Sequence, residues 1–106
     1  MKRSHLLKQL NDFALVHERK AHGCMIDGLP KARAEYARKA KTLREAIIQL
    51  QLSTQSAEVR PTLLKQLNTF AGRMEWYVVW TKSESDRNFW TDMAVLLRET
   101  IKQLTE

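Results

Sequence analysis

Core-type side chains recur along this chain at alternating spacings of four and three. Leu6, Leu10, Phe13 and His17 keep this spacing in a first stretch, which Ala21 extends by a further four, and Tyr36, Ala40, Leu43, Ile47 and Leu50 keep it in a second. Leu63, Leu67, Phe70 and Met74, continued by Tyr77 and Val78, form a third stretch, and Trp90, Ala94, Leu97, Ile101 and Leu104 a fourth. A helix turns by about 100° per residue, so this spacing places each set on one side of its helix, with polar residues on the other. Sustained two-residue alternation, the mark of a half-buried strand, is missing. The pattern therefore predicts four helices and an all-α chain.

Punctuation between the stretches sets the expected boundaries. The first helix is expected to start at Ser4 as N-cap and to stop around Cys24 to Asp27, where Gly23, Gly28 and Pro30 interrupt it. Pro30 suits the first turn of a second helix, because proline has no amide hydrogen to leave unpaired there; this helix is expected to run to Leu52. Ser53, Thr54, Gln55 and Ser56 read as a connector, Pro61 opens the third helix, and that helix is expected to reach Lys82. Ser83 or Ser85, with Glu84 and Asp86, opens the fourth, since a hydroxyl cap and negative charge both favour a helix N-terminus.

The stretches are also related in wording. Leu6-Leu7-Lys8-Gln9-Leu10-Asn11-Asp12-Phe13-Ala14 returns as Leu63-Leu64-Lys65-Gln66-Leu67-Asn68-Thr69-Phe70-Ala71, an offset of 57. Leu43-Arg44-Glu45-Ala46-Ile47-Ile48-Gln49-Leu50 returns as Leu97-Arg98-Glu99-Thr100-Ile101-Lys102-Gln103-Leu104, an offset of 54. The order is conserved between halves and the offset changes by three, as expected for a duplicated helical hairpin that lost a few residues in a loop. One hairpin cannot bury such a stripe alone. The expected architecture is a single domain over residues 1–106, a four-helix bundle of two duplicated antiparallel hairpins, with repeats at about 1–52 and 57–106. Helices of about 20 residues give a body roughly 30 Å long. The seams themselves are equally satisfied by closure within one chain or by pairing with a second copy.

Charge separates the two halves. Residues 1–52 carry eleven Lys or Arg against five Asp or Glu, whereas residues 53–106 carry seven of each, so the net charge of +6 comes from the first repeat. A one-sided basic surface attracts polyanions by phosphate neutralisation and counterion release. Arg19, Lys20, Lys31, Arg33, Arg38, Lys39 and Lys41 are the candidate nucleic-acid contacts, and no helix-turn-helix spacing accompanies them. A solvated face rich in good helix formers accounts for the same residues without a ligand.

Aromatic content separates the halves in the opposite direction. Trp76, Val79 and Trp80 fall off the third seam, and Phe89, Met93 and Leu96 lie to one side of the fourth. The corresponding places in the first repeat hold Arg19, His22 and Gly23, then Glu35, Lys39 and Thr42. Exposed tryptophan and methionine patches mark partner surfaces, so these six residues form the candidate interface to another protein or a second copy; a widened core is the competing explanation.

Chemistry of other kinds finds little footing. His5, His17 and His22 lack the i, i+4 pairing of a helical zinc site, and His17 stands where the other repeat has Met74, which points to a core imidazole. There is no glycine-rich phosphate loop, nucleophile elbow or convergent acid and base set, so no catalytic residue, metal or cofactor is expected. Cys24, the single cysteine, fits a reducing compartment, and neither a signal peptide nor a membrane-length apolar run is evident, so the expected location is cytoplasmic. The sequence thus reads as a small non-enzymatic accessory protein that binds nucleic acid through its basic hairpin and a protein, or itself, through its aromatic hairpin. The alternatives are a protein-only adaptor or inhibitor that docks on a larger nucleic-acid-processing enzyme or complex, and a self-assembling structural module.

Overall fold

The computed structural model describes residues 1–52 and 59–106 and consists of four helices, α1 (Arg3–Ile26), α2 (Pro30–Leu52), α3 (Pro61–Trp80) and α4 (Glu84–Thr105). Among the described residues there is no strand, and no helix is long and apolar enough to cross a membrane. The expected connector Ser53 to Ser56 lies outside the described residues.

The α1–α2 turn is closed by its backbone. Gly28 takes φ +71°, the left-handed conformation that glycine adopts without steric cost. This lets the Leu29 amide bond the Cys24 carbonyl at 2.8 Å and the Gly28 amide the Met25 carbonyl at 3.3 Å, which satisfies two of the last carbonyls of α1 before Pro30 begins α2. At the other hairpin, Ser83 is the N-cap of α4: its Oγ accepts from the Asp86 amide at 3.3 Å, with Glu84 and Asp86 in the first turn.

Two boundaries differ from expectation. Ser4 lies inside α1, whose N-cap is Lys2 with no side-chain capping bond; the Leu6 amide already bonds the Lys2 carbonyl, so the first turn forms ahead of the serine. The third helix stops at Trp80 rather than Lys82, because Thr81 turns extended (ψ 142°) to lead the chain into the Ser83 cap.

Each hairpin buries five residues per helix. In α1 these are Leu6, Leu10, Phe13, Ala14 and His17, and in α3 Leu63, Leu67, Phe70, Ala71 and Met74, each 57 positions later. In α2 they are Ala40, Thr42, Leu43, Ala46 and Leu50, and in α4 Ala94, Leu96, Leu97, Thr100 and Leu104, each 54 positions later. The hairpins close on each other within one chain around a shared apolar core, and Phe13 meets its counterpart Phe70 at 5.6 Å between ring centroids. Tyr36, Ile47, Trp90 and Ile101 of the expected seams are only partly buried.

Polar clasps repeat as well. Arg44 donates from Nε and one terminal nitrogen to the two oxygens of Glu18 (3.2 and 2.7 Å) and from the other to Asn11 (2.5 Å). Arg98 does the same with Glu75 (3.2 and 2.6 Å) and Asn68 (2.5 Å). These groups are partly solvated, so each clasp contributes about 0.2–1 kcal/mol and acts mainly to fix how the two helices of a hairpin sit against each other. Between hairpins, Arg60 pairs with Glu45, and the Met1 ammonium lies 3.5 Å from Glu99. The molecule measures 43 × 29 × 23 Å, longer than the expected 30 Å because the helices run to 24 residues.

Candidate nucleic-acid interface

The α2 and α3 helices frame a groove of about 230 Å³ whose walls carry four cations, Arg38 and Lys39 from α2 and Lys65 and Arg73 from α3. Thr42, Gln66 and Thr69 add uncharged polar groups, and Phe70 forms an apolar floor. Among the described residues no carboxylate lines the groove and none of the four cations forms an ion pair.

Lys39 is held most tightly. Its ammonium lies 5.6 Å from the Phe70 ring centroid and 5.9 Å from that of Tyr36, within cation–π range of both. Burial is the main cause that pulls its pKa below the usual lysine value; Arg73 and Lys20 push the same way, and Glu35 opposes them. An incoming anion would relieve that crowding.

The groove gathers part of the expected basic set and adds to it. Arg38 and Lys39 line it, while Lys20 stands just beyond, 5.7 Å from the Tyr36 ring centroid. Arg33 sits at the α1–α2 turn beside Cys24 and Leu29, and Arg19, Lys31 and Lys41 are exposed outside the groove. Lys65 and Arg73 escaped the sequence reading because they lie in the half whose charges sum to zero. Their separation of eight residues, which leaves them about 80° apart around the helix and so within one broad face, was the available signal.

The corresponding groove, between α4 and α1, has the opposite character. In place of Arg38, Lys39, Thr42, Thr69 and Arg73 it carries Asp92, Met93, Leu96, Asp12 and Val16, at the same offsets of 54 and 57. It measures about 500 Å³, is bordered by Phe89 and has Phe13 where the cationic groove has Phe70.

A third concavity, about 290 Å³, opens between the hairpins at the end of the bundle that holds the α1–α2 turn. The first hairpin supplies Lys20, Lys39, Glu35 and Tyr36, and the second supplies Met74, Tyr77, Phe89 and Trp90. His17 borders it while 5 % exposed, its Nδ1 3.0 Å from the Phe13 carbonyl. Burial, ahead of any other cause, lowers the His17 pKa; the Phe13 carbonyl opposes this, and Lys39 and Lys20 reinforce it. The imidazole is thereby kept neutral, with Nδ1–H donating to Phe13 and Nε2 as the remaining acceptor.

The six expected interface residues divide. Trp76, Val79 and Trp80 stand 58, 74 and 66 % exposed on α3, the two indoles 6.0 Å apart. Phe89 is exposed but packs on Trp90 (4.9 Å) and Phe13 (6.5 Å), and Met93 is partly buried against the core. Leu96 is a correction: at 2 % exposure it belongs to the core, where it takes the place that Thr42 occupies in α2, so the fourth helix buries a wider stripe than its seam alone required. Among the described residues no three His, Cys, Asp or Glu side chains are grouped as metal ligands. No protein-family model matches the chain, and neither a curated protein nor a solved structure matches it.

Proposed function

We propose that the protein binds nucleic acid through the cationic α2–α3 groove and acts as a small cytoplasmic accessory factor without catalysis of its own. The single observation behind this reading is the quartet Arg38, Lys39, Lys65 and Arg73 facing one groove, with no ion pair to any of them and no carboxylate in the lining among the described residues. Phosphates entering there would gain four charge contacts and release counterions. The absence of a carboxylate separates this groove from an ordinary solvated helix face, where charges of both signs alternate. The reading treats the hairpins as copies of one unit, supported by the matching buried sets and clasps, with the two grooves as the surfaces that diverged.

The test is a titration of labelled DNA and RNA across salt concentrations. Four phosphate contacts imply a loss of affinity on the order of a hundredfold between 50 and 200 mM salt. Arg38→Gln, Lys65→Gln and Arg73→Gln together should flatten that dependence by about three contacts. Undetectable binding at low salt, or a salt slope untouched by the triple variant, rules the reading out.

Trp76, Val79 and Trp80 support a second role. Spaced i, i+3, i+4 on the outward side of α3, they form an apolar stripe of the kind that anchors protein contacts. In the rival reading this stripe alone defines the protein, as an adaptor or inhibitor of a larger nucleic-acid-processing complex. A chain that captures such a complex through Trp76 and Trp80 after nuclease treatment, yet binds no nucleic acid itself, favours the rival. Concentration-dependent sedimentation abolished by Trp80→Ala would instead identify a homodimer.

A further inference from the structure

The cleft at the turn end of the bundle has two unlike walls, and their chemistry is that of a nucleotide. On one side the ammonium groups of Lys20 and Lys39 both lie within 6 Å of the Tyr36 ring centroid, at 5.7 and 5.9 Å, and outnumber the one carboxylate of that wall, Glu35. On the other, Tyr77 and Trp90 stack in a tilted pair 5.2 Å apart, with Phe89 edge-on to Trp90 at 4.9 Å. At about 290 Å³ the cleft falls just below the usual range for ligand sites, roughly 300–1,000 Å³, which suits one planar base rather than a duplex.

We propose that this cleft receives one unstacked base of a single-stranded nucleic acid, seated against Tyr77 and Trp90, with its phosphate between Lys20 and Lys39. Lys39 lines both the cleft and the α2–α3 groove, so a strand leaving the cleft passes directly onto Arg38, Lys65 and Arg73. Stacking platforms joined to a cationic track are how single strands are held without sequence reading, because every base has a π-face and every link a phosphate. His17 offers an acceptor at the cleft that an exocyclic amino group could use. A paired base has its faces covered by its neighbours and cannot enter. This inference rests on the nucleic-acid reading above and specifies its substrate as single-stranded.

The experiment uses the full chain with Trp76→Phe and Trp80→Phe, which leaves Trp90 as the sole indole. A short single-stranded oligonucleotide should quench Trp90 fluorescence, whereas an abasic strand and a duplex of the same length should bind by anisotropy without quenching. Trp90→Leu should weaken single-strand binding tenfold or more and alter duplex binding less than twofold. Should that variant unfold, Lys20→Gln, a surface change, must still weaken the single strand selectively. Binding of single strands without any change in Trp90 emission overturns the inference and leaves the groove reading intact. Quenching by a free nucleoside monophosphate as strong as by the strand overturns it in favour of a nucleotide site. No binding of any strand or duplex removes both.

Discussion

His17 shows how one residue ties stability to pH. It is buried beside Phe13 and Phe70, at ring distances of 4.5 and 5.7 Å, with two lysines nearby, and its pKa lies below the usual 6.5. The unfolded chain therefore takes up a proton more readily than the folded one, so this residue's contribution is full above about pH 6.5 and is lost as the solution is acidified through the lower folded value. The second hairpin places Met74 at the matching position. His17→Met should remove that part of the acid sensitivity, so thermal melts of the variant should fall less than the parent's between pH 7 and 5. Parallel melting curves over that range would show that the imidazole does not govern it.

At the scale of the element, the helices owe their ends to a few local groups. Ser83 makes the single capping bond of α4, to Asp86, while Ser85 lies within the first turn. Ser83→Ala should cost about 1 kcal/mol, a shift of several degrees in Tm, whereas Ser85→Ala should be nearly silent; equal effects in denaturation would contradict this assignment. The capping was legible in sequence here because a serine and two acids coincide just before an amphipathic run. At α1 the same rule named Ser4, but no side-chain cap forms and the helix reaches back to Arg3, its first turn set by backbone bonding alone. The seams were legible because helical spacing shows in the residue order. The clasps were less so: Asn11 and Asn68 stand in the repeated phrase, but Glu18 and Glu75 lie outside it and join their arginines only across the hairpin.

For the whole molecule, burial separates residues that hold the fold from residues that face outward. Leu97 is fully buried, and Leu97→Ala should cost about 2–5 kcal/mol, a large share of the roughly 5–15 kcal/mol typical of a domain. Trp80→Ala, at an exposed position, should change stability by less than about 0.5 kcal/mol. Urea titrations check both; a Trp80 variant as damaged as the Leu97 variant would place that indole in the core. Within the expected interface set, periodicity could not tell a second stripe from a broad core: Leu96 is buried and Met93 packs partly buried against the core. The cationic groove was half legible, since counting charge by halves of the chain finds Arg38 and Lys39 but hides Lys65 and Arg73, which the packing of α2 on α3 brings beside them.

The two grooves run between different helix pairs, the α2–α3 groove with Arg38, Lys65 and Arg73 and the α4–α1 groove with Asp12 and Asp92. Unlike charges in the two grooves give the molecule one strongly cationic side and one that carries two carboxylates. In the field of any highly charged surface such a body feels a torque before it feels a contact, and it turns until one side leads. Orientation is then settled at a distance, and diffusion has only to close the gap.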